Sequence, residues 1–327
     1  MKEEDIRPKE LMAVYLRLAE ADARRISDAE LSHVRCPGCD GSDHKFKFEK
    51  YSFSYVECST CASLFCTPRP SEDALKRYYQ TGSSTNYFSE VLWESTKQNR
   101  TTKIYRENAK RVFEICEAQG LSPETICDVG SGQGLFLDEL RSVFKAARLA
   151  AIEPNLSSAS KCQEKGYEVM PAIAEEAQEW EGRFEVVIST EVIEHSFSLR
   201  KYVKALYRLT KPGGICLVTG IGAEGFDIIS LGSNSQNIYP PAHINFLSLK
   251  GAQALFDGVG FKEVKIWTPG RLDLDIVLNS GIQNDFAHKL SARGECARSE
   301  FQEFLRKHKL SSHLWILGKK QKAKELK

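Results

Sequence analysis

The chain has 327 residues, 42% of them hydrophobic and 27% charged, and its 45 basic residues against 44 acidic ones leave a formal net charge of +1. That length can bury one full α/β core and still carry an accessory module. A balance so near zero gives no overall electrostatic footprint for nucleic acid and favours a small-molecule substrate. No apolar run approaches the roughly 18 residues of a bilayer span, and the start Met1-Lys2-Glu3-Glu4-Asp5 lacks an apolar signal region. The reading is therefore a cytoplasmic protein with no membrane association, whose ten cysteines serve as metal ligands or small buried hydrophobes rather than disulfides.

Residues 9–31 favour helix, with Leu11, Val14, Tyr15 and Leu18 on one face, a pattern that suits packing. Next come Cys36-Pro37-Gly38-Cys39 and Cys58-Ser59-Thr60-Cys61, a C-x2-C-x18-C-x2-C pattern. Each pair can form a knuckle presenting two thiolates, and together they make a closed four-sulfur zinc site of the structural type. Free buried cysteines or a redox C-x-x-C are the alternatives. Phe46, Phe48, Tyr51, Phe53 and Tyr55 lie between the pairs with hairpin spacing, so 33–67 reads as a zinc ribbon, with His44 and Cys66 as bystanders. A ribbon of that size has little core of its own and serves docking or substrate recognition.

Gly82-Ser83-Ser84-Thr85 reads as a loop and 86–119 as a long helical region, in which Tyr87 is the residue best placed to face a substrate, although a core aromatic is the stronger reading of it. Then Ile126-Cys127-Asp128-Val129 runs as an apolar strand into Gly130-Ser131-Gly132-Gln133-Gly134, a glycine-rich turn opening a helix. Such a turn lets backbone approach a ligand while helix amides face it. A dinucleotide fingerprint would require glycine at 135, where Leu135 stands. Asp128 at the strand end would repel a pyrophosphate but suits a cationic cofactor, and S-adenosylmethionine carries an ammonium and a sulfonium. Glu153 ends a second short strand, Leu149 to Ile152, where a carboxylate can accept both hydrogen bonds of a ribose diol.

With Asp128 to Gly134 and Glu153, the chain resembles the class I S-adenosylmethionine-dependent methyltransferases. Phe184 to His195 resembles the fourth strand and following loop of that family, and Leu209-Thr210-Lys211-Pro212-Gly213-Gly214-Ile215-Cys216-Leu217-Val218 the turn into the fifth; the likeness covers about 100–268. It implies a doubly wound, Rossmann-like α/β fold with a seven-stranded sheet. Strands are expected near 125–129, 148–152, 167–170, 185–188, 214–219 and 262–267, with His313 to Leu317 as the last, inserted antiparallel beside the sixth. The expected organisation is an N-terminal helix and zinc ribbon over 1–70, a methyltransferase core over 71–268, a helical insertion or lid over 269–310, and the last strand with a basic tail over 311–327. Lys319 to Lys324 read as a solvated end. The resemblance implies that Asp128, Gly130, Ser131, Gly132, Gly134 and Glu153 hold S-adenosylmethionine, with Glu191 orienting the methionine end or the substrate.

Ligands in open α/β sheets bind at the carboxyl ends of the strands, and two histidines are placed there. His195 follows the fourth strand and His243 the fifth. Methyl transfer is an in-line displacement in which the protein aligns donor and acceptor and removes the acceptor's proton. With an ordinary pKa near 6.5, either histidine could be the base at neutral pH, the other binding the acceptor. The remaining five, at 33, 44, 288, 308 and 313, lack such placement. Asp273 and Asp275 are available if the insertion folds over the cleft. Zinc ribbons before class I cores occur in ketosugar C-methyltransferases and in certain ribosomal RNA methyltransferases, and Leu64 to Ser71 resembles the sugar group. That group places a glutamate before its second histidine, where this chain has Ala242, so the reading is O-methylation of a small hydroxylated acceptor such as a sugar. An RNA methyltransferase and a non-enzymatic scaffold are the competing readings.

Overall fold

The structure, a computed structural model, describes residues 1–322; of the expected solvated tail, Ala323 and Lys324 lie outside these. The N-terminal helix, Lys9–Ala23, is shorter than the sequence suggests. Strand β1 (Leu31–Ser32) follows it, then β2 (His44–Lys50), β3 (Phe53–Cys58), β4 (Leu64–Cys66) and β5 (Arg69–Pro70), which returns to pair antiparallel with β1. Tyr51 and Ser52 both adopt left-handed backbone, the primed-turn conformation that matches the twist of a two-residue hairpin between β2 and β3.

The helical region expected from 86 begins at Ser83, taking in most of the expected loop, and runs to Ala118, interrupted by two π-helical turns at Phe88–Leu92 and Thr101–Tyr105. A partner from the first helix moves the start. The buried carboxylate of Asp22 accepts hydrogen bonds from Ser83 N, Ser84 N and Ser84 Oγ, capping amides that have no partner within their own helix.

The core alternates strand and helix through β6 (Thr125–Val129), β7 (Arg148–Ile152), β8 (Glu168–Met170), β9 (Phe184–Thr190) and β10 (Thr210–Ile221). Short β11 (Asn245–Phe246) follows, then β12 (Lys262–Trp267) and β13 (His313–Lys319). Seven of these form one sheet in the order β12-β13-β10-β9-β6-β7-β8. The strands β10, β9, β6, β7 and β8 are parallel, whereas β13 is antiparallel to both of its neighbours. The expected doubly wound α/β fold is present, with Val186, Val187, Ile188 and Trp315 fully buried between the helical layers.

The remaining strand stitches the ribbon to this core. β11 pairs antiparallel with β4, with Asn245 opposite Phe65 and Phe246 opposite Leu64, so the second sheet runs β11-β4-β3-β2. Its apolar face buries Tyr55, Phe246, Ile244 and Ile238 in one cluster. The segment between β12 and β13 carries three helices, Asp273–Asn279, Asp285–Ser291 and Glu295–Lys307. At the other end, Lys319 belongs to β13, and Lys320 is docked rather than solvated: its Nζ donates to the carbonyls of Tyr207 and Thr210 at 2.8 Å each. Among the described residues no helix is long and apolar enough to cross a membrane.

Candidate active site

The carboxyl ends of β6, β7, β9 and β10 open on a cavity of about 450 Å³. On one side lies the glycine turn, with Gly130, Gly132 and Gly134 all at positive φ. They are not equivalent. A Cβ on Gly130 would meet Val192 Cγ2 at 2.5 Å and one on Gly134 would meet Cys162 Sγ at 2.9 Å, but one on Gly132 would project into open space. Gly130 and Gly134 therefore permit packing, and Gly132 keeps the lip of the cavity clear.

Glu153 binds this lip: Oε2 accepts from Gly132 N and Oε1 from Asn155 N, both at 2.8 Å. A carboxylate offers about four acceptor positions, so one remains free on each oxygen, which suits a diol. Burial raises the Glu153 pKa, opposed by these two amides. Asp128 is 1% exposed, and its Oδ1 has no hydrogen-bond partner. Burial first, then the charge of Glu153, push its carboxyl up to about 7. A buried, unpartnered carboxylate beside an open glycine lip is what a cationic, diol-bearing cofactor would satisfy, so these residues fit S-adenosylmethionine. Ser131 lies in the same turn, its Oγ 3.7 Å from Cys162 Sγ.

Glu191 follows β9 in left-handed backbone, φ 55°, a strained state for a residue with a Cβ. Its Oε1 accepts from Thr219 Oγ1 at 2.8 Å and lies 3.1 Å from His313 Nε2. Although the side chain is about half exposed, partial desolvation raises its pKa, and His313 and Thr219 outweigh that and hold it below the ordinary value. Glu194, 1% exposed, goes the other way, pushed well up by burial and by the Glu191 charge.

His195 and His243 both line the cavity, with ring centroids 4.7 Å apart. Their hydrogen bonds separate them. The His243 Nδ1 sits 2.6 Å from the Asn237 carbonyl, which only accepts, and the Nε2 sits 2.6 Å from Tyr239 Oη; both nitrogens are committed. The His195 Nδ1 lies 3.2 Å from the Ala242 carbonyl, which only accepts, and 3.1 Å from Tyr79 Oη, which can do either; the carbonyl favours the proton on Nδ1, and Nε2 then keeps its lone pair with no partner among the described residues. Burial lowers both imidazoles, His195 to about 4 and His243 further, the latter also by proximity to His195. The Glu194, His195 and His243 side chains bring potential ligand atoms within 4.8 Å of one another, but both His243 nitrogens are engaged elsewhere and Glu194 Oε2 is buried without a hydrogen-bond partner.

Several wall residues escaped the sequence reading. Phe88, Trp93 and Tyr105 face the cavity from the π-turned helix, whereas Tyr87 packs against the N-terminal helix. Arg7 reaches in from the N-terminus, donating to Asn237 Oδ1 at 2.6 Å. His313, set aside as unplaced, stands at the start of β13 on the cavity wall. The spare carboxylates of the insertion are engaged: Asp273 accepts from Ser311 Oγ and Ser312 N, and Asp275 pairs with Arg298. Any signal for these was remote, because each contact joins segments far apart in the chain.

The four ribbon cysteines converge as well. Cys36 Sγ lies 3.5 Å from Cys61 Sγ and Cys39 Sγ 3.5 Å from Cys58 Sγ, and all four fall within 4.8 Å of one another. The residue after each second cysteine, Asp40 or Ala62, is left-handed, turning two matching knuckles toward a common centre. This donor set fits a tetrahedral thiolate metal. It abuts the helix Leu249–Val259, whose N-cap Ser248 Oγ donates to the Cys61 carbonyl.

A family model described as a methyltransferase domain matches residues 98–266. The malonyl-[acyl-carrier protein] O-methyltransferase of Legionella pneumophila is 26% identical over 151 residues, 45% of this chain and 52% of that protein. A ubiquinone biosynthesis O-methyltransferase of Caulobacter vibrioides is 35% identical over 99 residues, 29% and 39% of the respective chains. The chain thus spans about half the length, or less, of these curated relatives. The plantazolicin methyltransferase BpumL, solved with a monoazolic desmethylPZN analog and SAH, superposes with TM-score 0.52 at 11% identity, over 76% of this chain and 94% of that one. That likeness shows the fold.

Proposed function

Since the chain belongs to the methyltransferase-domain family matched over 98–266, we propose that it transfers a methyl group from S-adenosylmethionine to a hydroxyl of a small acceptor. The observation carrying this reading is the pairing, in one cavity, of the Asp128–Gly132–Glu153 lip with the lone pair of His195 Nε2. Asp128 and Glu153 would hold the cofactor, with Gly130, Ser131, Gly132 and Gly134 shaping the turn around it and Glu191 at the methionine end. The cofactor supplies a methyl group already activated on a sulfonium. The chain's part is to align the acceptor oxygen and remove its proton. His195 Nε2 takes that proton, and the Ala242 carbonyl stabilises the resulting imidazolium through Nδ1–H. His243 acts differently from the expected equal partner, because its two committed nitrogens hold the Tyr239 hydroxyl at the cavity wall.

The aromatic wall of Tyr239, Phe88, Trp93 and Tyr105 suits the face of a sugar ring or a phenol. The sugar reading stands on the ribbon that precedes the core; a phenolic acceptor is the second reading, favoured by that wall and by the named quinone-pathway relatives. Cys36, Cys39, Cys58 and Cys61 hold one structural zinc. Incubation with methyl-labelled S-adenosylmethionine and a library of nucleotide-sugars and phenols, read by mass spectrometry, tests the proposal. Label in a hydroxyl product supports it, and label only in an RNA fraction would replace it with the nucleic-acid reading.

A further inference from the structure

Arg69 is the largest charged side chain buried in the protein, 1% exposed, and among the described residues it has no carboxylate within ion-pair distance. Burying a cation that way is costly unless its donors are well used. Its donors converge on both histidine loops. Nη1 donates to Phe197 O at 3.1 Å and to Asn245 Oδ1 at 2.9 Å, Nη2 lies 3.5 Å from Ile244 O, and Nε donates to Cys66 O at 3.0 Å. Asn245 passes the link on, its Nδ2 donating to Ser196 O at 2.8 Å. One guanidinium therefore ties the turn after His195, the strand after His243 and the ribbon strand β4.

The ribbon reinforces this tie at independent points. Tyr55 Oη donates to the His243 carbonyl at 2.6 Å, and Cys66 N donates to Ile244 O at 3.0 Å. A Cβ on Gly251 would lie 2.1 Å from Ser63 Oγ and 3.2 Å from Cys61 Sγ, so the sulfur cluster rests on the helix that follows β11 with no slack. From the cysteines to the imidazoles the path is continuous: knuckle, β4, Arg69 and β11, histidine loops.

We propose that Arg69 is a positioning residue that fixes His195 and His243 against the four-cysteine ribbon, so that metal loading of the ribbon sets the geometry of the histidine pair. This rests on the role given to His195 above. It makes the ribbon part of the acceptor side of the site while leaving the glycine lip independent.

The test is nitrogen-15 NMR of the histidine side chains in the full chain, with cofactor binding followed by calorimetry. The wild type should show His195 as the Nδ1–H tautomer titrating near 4. In Arg69→Met, and in wild-type protein stripped of metal by chelator, that tautomer preference should be lost and titration should move toward the ordinary value of about 6.5 as water enters. S-adenosylmethionine affinity should change less than about twofold, as for independent sites. Arg69→Lys should not restore the tautomer, because an ammonium cannot span three backbone carbonyls and the Asn245 amide oxygen as the planar fork does. An unchanged His195 spectrum in Arg69→Met or in the stripped protein, or protein that never contained metal, would overturn the coupling. If Arg69→Met does not fold, the stripped protein and Asn245→Ser decide the matter. Failure of the wild type to bind S-adenosylmethionine would instead sink the functional reading, since the spectra require neither cofactor nor turnover.

Discussion

His195 and His243 lie with ring centroids 4.7 Å apart and planes 59° from parallel, yet only His195 keeps a nitrogen free of the protein. The two should therefore respond differently to substitution. His195→Gln should lower kcat about 100-fold with cofactor binding preserved, as for loss of a general base. His243→Gln should chiefly raise the acceptor's KM and lower Tm, because two buried hydrogen bonds are lost. Steady-state kinetics on an identified acceptor checks both, and full activity of His195→Gln would remove it from the chemistry.

The pH profile follows from the low His195 pKa. With its folded value near 4, the imidazole is already neutral at pH 6, so the rate should be flat from pH 6 to 8 and fall only as pH drops toward 4. Stability carries the same sign. The unfolded imidazole, with pKa about 6.5, binds protons that the folded one refuses, so this group destabilises the fold progressively as pH falls from 6.5 to 4. A kcat inflection near 6.5 would contradict the lowered His195 pKa.

Asp128 runs the opposite way. Its folded pKa of about 7 exceeds the ordinary aspartate value of about 3.9, so the folded state holds the proton more tightly and loses that advantage as pH rises from about 3.9 through 7. Asp128→Asn should remove this loss, giving a Tm gain over wild type that is small at pH 4 and full above pH 7. The same variant should bind S-adenosylmethionine more weakly. Thermal melts across pH together with calorimetry separate the two effects.

Gly130 and Gly132 should fail differently. Gly132→Ala enters open space at left-handed backbone, costing about 1–2 kcal/mol of stability while placing a methyl on the cofactor lip, so affinity should drop with the fold retained. Gly130→Ala should strike Val192 and lower Tm more. Equal Tm losses with unchanged affinity in both would mean the lip does not touch the ligand.

Purified protein should carry one zinc per chain, and Cys36→Ser or Cys61→Ser should release it with a large Tm loss. Elemental analysis of protein prepared without chelator is decisive.

The alternating core was legible because each parallel strand is a short apolar run bounded by its own turn; the strand near 185–188 needed nothing beyond local pattern, whereas the chain reversal at His313 was implied by the family resemblance. Asp128, Glu153 and the cysteine pairs were legible for the same reason, since their chemistry is written in contiguous motifs. What escaped depends on remote partners. Ser83 starts a helix because Asp22 caps it, His313 joins the site through Glu191, and Arg69 is buried by segments more than 120 positions away. The His195 pKa escaped as well, because desolvation is set by the packed surroundings and not by neighbours in sequence.

The pairing of β4 with β11 bears on how this protein can be cut. Chain order suggests that the first 70 residues could be deleted or exchanged for another ribbon, as with beads on a string. Deletion would bare the β11 edge and the Phe246 side of its cluster, and an uncovered strand edge beside apolar surface is a template for self-association. A truncated catalytic fragment should therefore precipitate when produced alone. A transplanted ribbon would need a serine at the position of Ser63 and no bulk against Gly251 before any donor sulfur could settle.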